Sequence, residues 1–203
     1  MQPSPIQEIQ SKLLQAKKVR LFLKRDDLIH PSVSGNKWRK LKYNLATAKE
    51  LNHTTLLTFG GAFSNHIHAV AAAGKVFDFK TIGIIRGDRI DPLNATLQYA
   101  EDQGMQLHFV TRAAYRKKHT TDFYLTLQEQ FGRFYSIPEG GTNTLALKGC
   151  AEIVTEIKDQ LKFSPAYIAT CCGTGGTIAG IIQGNAAAPT EILGVSALSL
   201  IHI

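Results

Sequence analysis

Strand-like and helix-like stretches alternate along almost the whole of this 203-residue chain, and that alternation restricts its fold more than any other feature. Apolar runs at 19–23, 55–59, 81–85, 107–110, 134–137, 167–171 and 192–195 read as buried strands, being too short for helices. The stretches 38–51, 65–73, 93–103, 122–130, 145–161 and 177–183 read as helices. In the first, Trp38, Leu41, Leu45 and Ala48 recur at three- and four-residue steps, as one buried helical face requires. Asp91-Pro92 is the expected opening of the third, with a cap acceptor followed by a proline that needs no amide partner. Such repetition predicts an α/β protein with parallel sheet and right-handed crossovers.

Composition narrows the function classes. The N-terminus, Met1 to Glu8, is polar and lacks the apolar core of a signal peptide. No run approaches the roughly 20 apolar residues of a membrane helix, so no membrane partner is expected. Three cysteines, two of them adjacent (Cys171-Cys172), give neither a disulfide framework nor a paired metal motif, and the expected compartment is the cytoplasm. The net charge of +7 raises the question of nucleic acid. The basic residues are dispersed, though, and nothing matches a zinc finger, a basic zipper or an RNA-recognition sheet. A solvated face plus an anion-binding site accounts for the excess, and no nucleic-acid partner is expected. Residues 192–196 read as a strand rising toward the centre of a sheet, with only 198–203 after it. That ending reads as a truncated open reading frame.

Three motifs carry chemistry. Gly35-Asn36-Lys37, after Ser34 and an acidic turn at Asp26-Asp27, puts a lysine at the mouth of a helix. A free lysine, pKa about 10.4, is a poor nucleophile at neutral pH, and forming a Schiff base removes that difficulty. Gly60-Gly61-Ala62-Phe63-Ser64-Asn65-His66 follows a strand, with small residues that let backbone approach a ligand and with hydroxyl and amide groups at a helix start. His66 and His68, two apart, diverge on a helix and do not share a metal. Cys172-Gly173-Thr174-Gly175-Gly176-Thr177 lies between strand and helix, the arrangement of a phosphate cradle. No lysine follows its glycines, so it is not a Walker loop, and Ile178 stands where the dinucleotide pattern needs its last glycine. Singly, each motif also reads as ordinary structure: a solvated lysine, an N-capped turn and a tight loop.

In this order, the motifs resemble the family of 1-aminocyclopropane-1-carboxylate deaminase and D-cysteine desulfhydrase, pyridoxal-phosphate enzymes of the tryptophan-synthase-β-like fold (PLP fold type II). Lys24-Arg25-Asp26-Asp27-Leu28, Gly35-Asn36-Lys37 with Arg39-Lys40-Leu41, Ser64-Asn65-His66, Ile137 to Asn143 and Cys172 to Thr177 carry the resemblance. It implies pyridoxal 5'-phosphate as cofactor, Lys37 as Schiff-base lysine and α-carbon proton shuttle, and Asn65 at the cofactor's phenolic oxygen. Ser64, the second candidate catalytic residue, would receive the substrate carboxylate, with Asn65 and His66 beside it. Gly173, Thr174, Gly175, Gly176 and Thr177 would hold the phosphate. It also implies two open α/β domains, a larger one from 1–45 and 138–203, incomplete at its C-terminal part, and a smaller one at 46–137, with a homodimer when full length.

The activity so implied is a deaminating lyase of a small amino acid, D-cysteine desulfhydrase-like, giving pyruvate, sulfide and ammonia. The cyclopropane deaminase is the alternative, because ring opening asks for an additional acid–base group or nucleophile. From other classes stand an inactive fragment that keeps the phosphate-binding scaffold, and a nucleotide-binding oxidoreductase. The latter needs a dinucleotide glycine pattern and a ribose-binding acid, and the sequence offers no convincing pair.

Overall fold

The computed structural model describes residues 3–33, 35–186 and 189–197; Ser34 and the 198–203 tail singled out above lie outside them. The chain opens with β1 (Ile6–Ile9), α1 (Lys12–Lys17) and β2 (Leu21–Lys24), then a short 3-10 turn at Asp26–Leu28 and α2 (Asn36–Glu50). There follow β3 (Thr55–Gly61), α3 (Asn65–Phe77), β4 (Lys80–Arg86), α4 (Ala95–Asp102), β5 (Met105–Val110), α5 (Arg112–Arg116), α6 (Thr121–Phe131) and β6 (Tyr135–Ile137). After a 3-10 turn at Glu139–Gly141 come α7 (Thr144–Leu161), β7 (Tyr167–Cys172), α8 (Gly176–Gly184) and β8 (Glu191–Ser196).

Strands β5-β4-β3-β6 form one parallel sheet in that order, and β7 and β8 pair in parallel as a second. Both faces of the first sheet are covered, which is why its strands read as unbroken apolar runs. Leu56 and Ile85 face one cluster with Leu41, Leu45, Ile67, Val70 and Leu97 from α2, α3 and α4. Leu57, Phe59, Ile82 and Ile84 face the other, with Tyr115, Leu127 and Phe134. A third cluster joins α7, α8 and β7 through Cys150, Val154, Ile168 and Ile181.

Glycines let the helices around the site close up. A Cβ on Gly149 would stand 2.0 Å from the Arg39 carbonyl oxygen, and one on Gly180 would stand 2.4 Å from the Cys150 Cβ. So α7 lies against both α2 and α8, and fixes the helix that carries Lys37 relative to the glycine loop. An ion network locks the same junction. Arg39, 1% exposed, donates to Asp26 at 2.6 and 2.7 Å and to Glu156 at 2.9 Å, while Lys24 reaches Glu156 at 2.6 Å. Trp38, on the expected apolar face of α2, stacks on both His30 and Phe77.

The structure departs from the sequence reading at several places. β1, α1 and α5 were not foreseen, and β1 pairs antiparallel with β2 rather than in parallel. Leu21 and Leu23 of β2 are each 49% exposed, so that run is not a buried strand. α4 starts at Ala95, and Asn94 caps it by accepting from the Thr96 and Leu97 amides, which leaves Asp91-Pro92 outside the helix. The strand expected at 192–195 is present as β8; among the described residues it pairs only with β7 and leaves Leu193 and Val195 exposed.

Candidate active site

The C-terminal ends of β3, β4 and β7 and the N-termini of α2, α3 and α8 converge on one cavity of about 420 Å³. Ligands of open α/β sheets bind outside the carboxyl ends of their strands for a physical reason: there the following helices present their amide ends. Lys37, Ser64, Asn65, His66, Gly173, Thr174, Gly175 and Thr177 all line this cavity. Gly176 sits just behind it, where a Cβ would come within 2.6 Å of Thr142 Oγ1 and 3.0 Å of Lys40 Nζ.

Gly35 takes φ +65° and its amide donates to the Asp26 carbonyl at 2.8 Å, a left-handed turn that aims the first turn of α2 into the cavity. Asn36 then donates through Nδ2 to Thr177 Oγ1 at 2.9 Å, tying the lysine motif to the glycine loop 141 positions away. Lys37 Nζ donates to Asn36 Oδ1 at 3.3 Å, and burial pulls its ammonium below the ordinary lysine range. That is the direction a nucleophilic amine needs.

Lys40, one turn further on the same face, is a site residue the sequence reading did not single out. It is 2% exposed, and its Nζ donates to the Gly140 carbonyl at 3.0 Å, Thr142 Oγ1 at 3.2 Å and Thr174 Oγ1 at 3.3 Å. Burial, then the neighbouring Lys37 charge, pushes it down to about 8. The signal available was the spacing: residues three apart on a helix share a face, so a lysine there follows Lys37 into the cavity.

The glycine loop ends β7 and opens α8 with Gly175 at φ +78° as N-cap, without a side-chain cap. No side chain therefore competes for the first amides of α8, and ideal Cβ positions on Gly173 and Gly175 meet nothing within 4 Å. Helix amides, the Thr174 and Thr177 hydroxyls and the Lys40 ammonium all face one region. That donor set fits a phosphate group.

On the opposite wall Ser64 caps α3 by accepting from the Ile67 amide at 3.3 Å, so its hydroxyl proton stays available to a ligand. Asn65, the first residue of α3, is exposed to the cavity. His66 is 2% exposed, with Nε2 and Thr58 Oγ1 2.8 Å apart. Burial, with the Lys37 and Lys40 charges, pushes it down to about 3, so the imidazole is neutral. His68 turns away and stacks on Tyr99 at 3.8 Å between centroids. Arg86 and Glu139 complete the rim; Glu139 lies in the 137–143 segment noted in the sequence, whereas Arg86 did not stand out there.

Residues 2–201 match the family model described as pyridoxal-phosphate dependent enzyme. A putative 1-aminocyclopropane-1-carboxylate deaminase of Thermotoga maritima is 35% identical over 188 residues, covering 91% of this chain and 59% of that protein. A mitochondrial bifunctional D-cysteine desulfhydrase/1-aminocyclopropane-1-carboxylate deaminase of Arabidopsis thaliana is 34% identical over 179 residues, 81% of this chain and 45% of that one. A solved structure of an ACC deaminase homologue superposes with a TM-score of 0.81 and 26% identity, over 97% of this chain and 61% of that chain. This chain thus spans about half the length of the relatives it matches. The expected fold, α/β of PLP fold type II, is the fold found.

Proposed function

The chain belongs to the pyridoxal-phosphate dependent enzyme family, and from that premise we propose that it works as a deaminating lyase on a small amino acid, with D-cysteine as substrate and pyruvate, sulfide and ammonia as products. One observation carries the reading: a desolvated lysine, Lys37, shares a cavity with an uncapped glycine loop and the N-terminus of α3. Pyridoxal phosphate bound there supplies an electron sink for the electrons left on a substrate's α-carbon.

The chain's own residues divide the remaining work. Lys37 would hold the cofactor carbonyl and afterwards carry the proton at the α-carbon. Lys40, Thr174, Thr177 and the amides of Gly173, Gly175 and Gly176 would hold the phosphate. Asn65 would fix the cofactor ring at its phenolic oxygen, and Ser64 would receive the substrate carboxylate, with His66 a neutral wall behind it. The same reading divides the chain into a cofactor-holding unit from 1–45 and 138–203 and a smaller one at 46–137. The four-stranded sheet falls inside the latter, while α2 runs through the boundary at 45. A homodimer and a cytoplasmic setting belong to the proposal. Among the described residues no helix is long and apolar enough to cross a membrane.

Ring opening of 1-aminocyclopropane-1-carboxylate is the second reading, favoured by the names of both relatives and by the Ser64 hydroxyl at the substrate side. Sulfide and pyruvate released in equal amounts from D-cysteine by the cofactor-loaded protein, and not by Lys37→Ala, is the expected result. Ammonia from the cyclopropane acid with no sulfide from D-cysteine moves the assignment to the second reading. Cofactor binding with neither product leaves a scaffold that binds without turnover.

A further inference from the structure

Arg86 is the cation of the cavity that the proposed chemistry leaves without a task. It ends β4, and parallel pairing sets it beside Gly61, where the turn into α3 begins. Its Nη2 lies 3.5 Å from the place a Cβ on Gly61 would take, so the guanidinium rests against the turn instead of projecting away from it. The neighbouring charges are matched, with Lys118 on Glu139 at 3.3 Å. Arg86 forms no ion pair among the described residues; its Cζ lies 5.7 Å from the centroid of the Tyr115 ring. Burial keeps that phenol protonated, so the ring gives the guanidinium a platform and no countercharge. A guanidinium in this setting presents paired donors spaced for a carboxylate. The phosphate-fitting donors, Lys40 and the glycine loop, belong to α2 and to the β7–α8 junction, so Arg86, on β4, addresses a second anion.

We infer that Arg86 determines specificity by binding the α-carboxylate of the amino-acid substrate beside the N-terminus of α3, and so excludes amines that lack one. The inference rests on the pyridoxal-phosphate reading and adds the charge that Ser64 and Asn65, both neutral, do not supply.

The test uses protein loaded with pyridoxal phosphate, reading the visible absorbance of the lysine-bound cofactor while D-alanine or D-alaninamide is titrated in. Arg86→Gln is expected to weaken D-alanine by about tenfold or more, the scale of a lost charge-assisted pair, and to leave D-alaninamide unchanged. Arg86→Lys should recover part of the loss. Because Arg86 is exposed, added salt should weaken D-alanine binding in the parent and not in Arg86→Gln. Equal effects on acid and amide, or no effect on either, overturn the assignment. So does loss of the cofactor absorbance in both variants, which makes Arg86 part of the scaffold. A parent protein that never develops the absorbance refutes the cofactor reading itself, and Arg86's role falls with it.

Discussion

Replacing Arg39 by methionine should destabilise the fold by about 3 kcal/mol, with a pH dependence that identifies the cause. The guanidinium is 1% exposed and donates to Asp26 and Glu156 together, whose side chains keep 18% and 16% exposure. Methionine fills similar volume, so the loss is electrostatic: two carboxylates face each other without the cation between them. Breaking a buried pair costs about 3–5 kcal/mol. Here the lower end applies, because both carboxylates keep an edge to water. Lys24 also stays on Glu156 at 2.6 Å, and the Ser4 hydroxyl stays on Asp26 at 2.6 Å. For a chain of this size that is a fall in Tm of roughly 6–12 °C. Burial alone would raise the Glu156 carboxyl, but the hydrogen bonds from Arg39 and Lys24 outweigh it and hold the group below its usual range. A depressed folded value gives stability that is present above the unfolded carboxylate range and lost as pH falls through the folded value. Urea unfolding of parent and variant should therefore differ most near neutral pH, and the gap should close below about pH 4. A gap under about 1 kcal/mol at neutral pH, or one of equal size at both ends, would refute the reasoning.

Lys40→Met should weaken 4-deoxypyridoxine phosphate, which has the phosphate and no carbonyl, by about tenfold or more in a calorimetric titration. In the parent that affinity should fall as pH rises through about 8, where the ammonium is lost, and the variant should show no such fall. A parent affinity flat across that range contradicts a phosphate contact by Lys40. Gly180→Ala should cost about 1–3 kcal/mol in urea unfolding despite alanine's better helix propensity, since its Cβ would meet Cys150 Cβ at 2.4 Å and the Leu147 carbonyl at 2.7 Å. A stabilised variant would show that α7 and α8 are not in the close contact described.

The centre of the four-stranded sheet was legible because β3 and β4 are buried on both faces, and Leu56-Leu57 or Ile84-Ile85 then read as strand with no alternation to interpret. The N-terminal pair was not legible: Ile6-Gln7-Glu8-Ile9 is half-exposed, and its partner β2 shows only alternate residues to the protein. The start of α4 went astray because a proline after an aspartate is a strong local signal, while the Asn94 cap depends on two amides that only the folded turn presents. Two of the motifs were visible as glycine loops at strand ends and one as a Gly-Asn-Lys step at a helix mouth, and the fold gathers them at one cavity. Lys40 and Arg86 were not, because what distinguishes them is distant in sequence. Lys40 is defined by Gly140, Thr142 and Thr174, and Arg86 by Gly61 and by a missing carboxylate.

Borohydride reduction of the protein after incubation with pyridoxal phosphate, followed by peptide mass mapping, bears most directly on Lys37. A single pyridoxyl adduct on Lys37, absent from Lys37→Ala, is the predicted result. An adduct confined to Lys40, or spread over surface lysines while Lys37 in folded protein stays unmodified, would contradict the assignment of Lys37 as the cofactor's lysine.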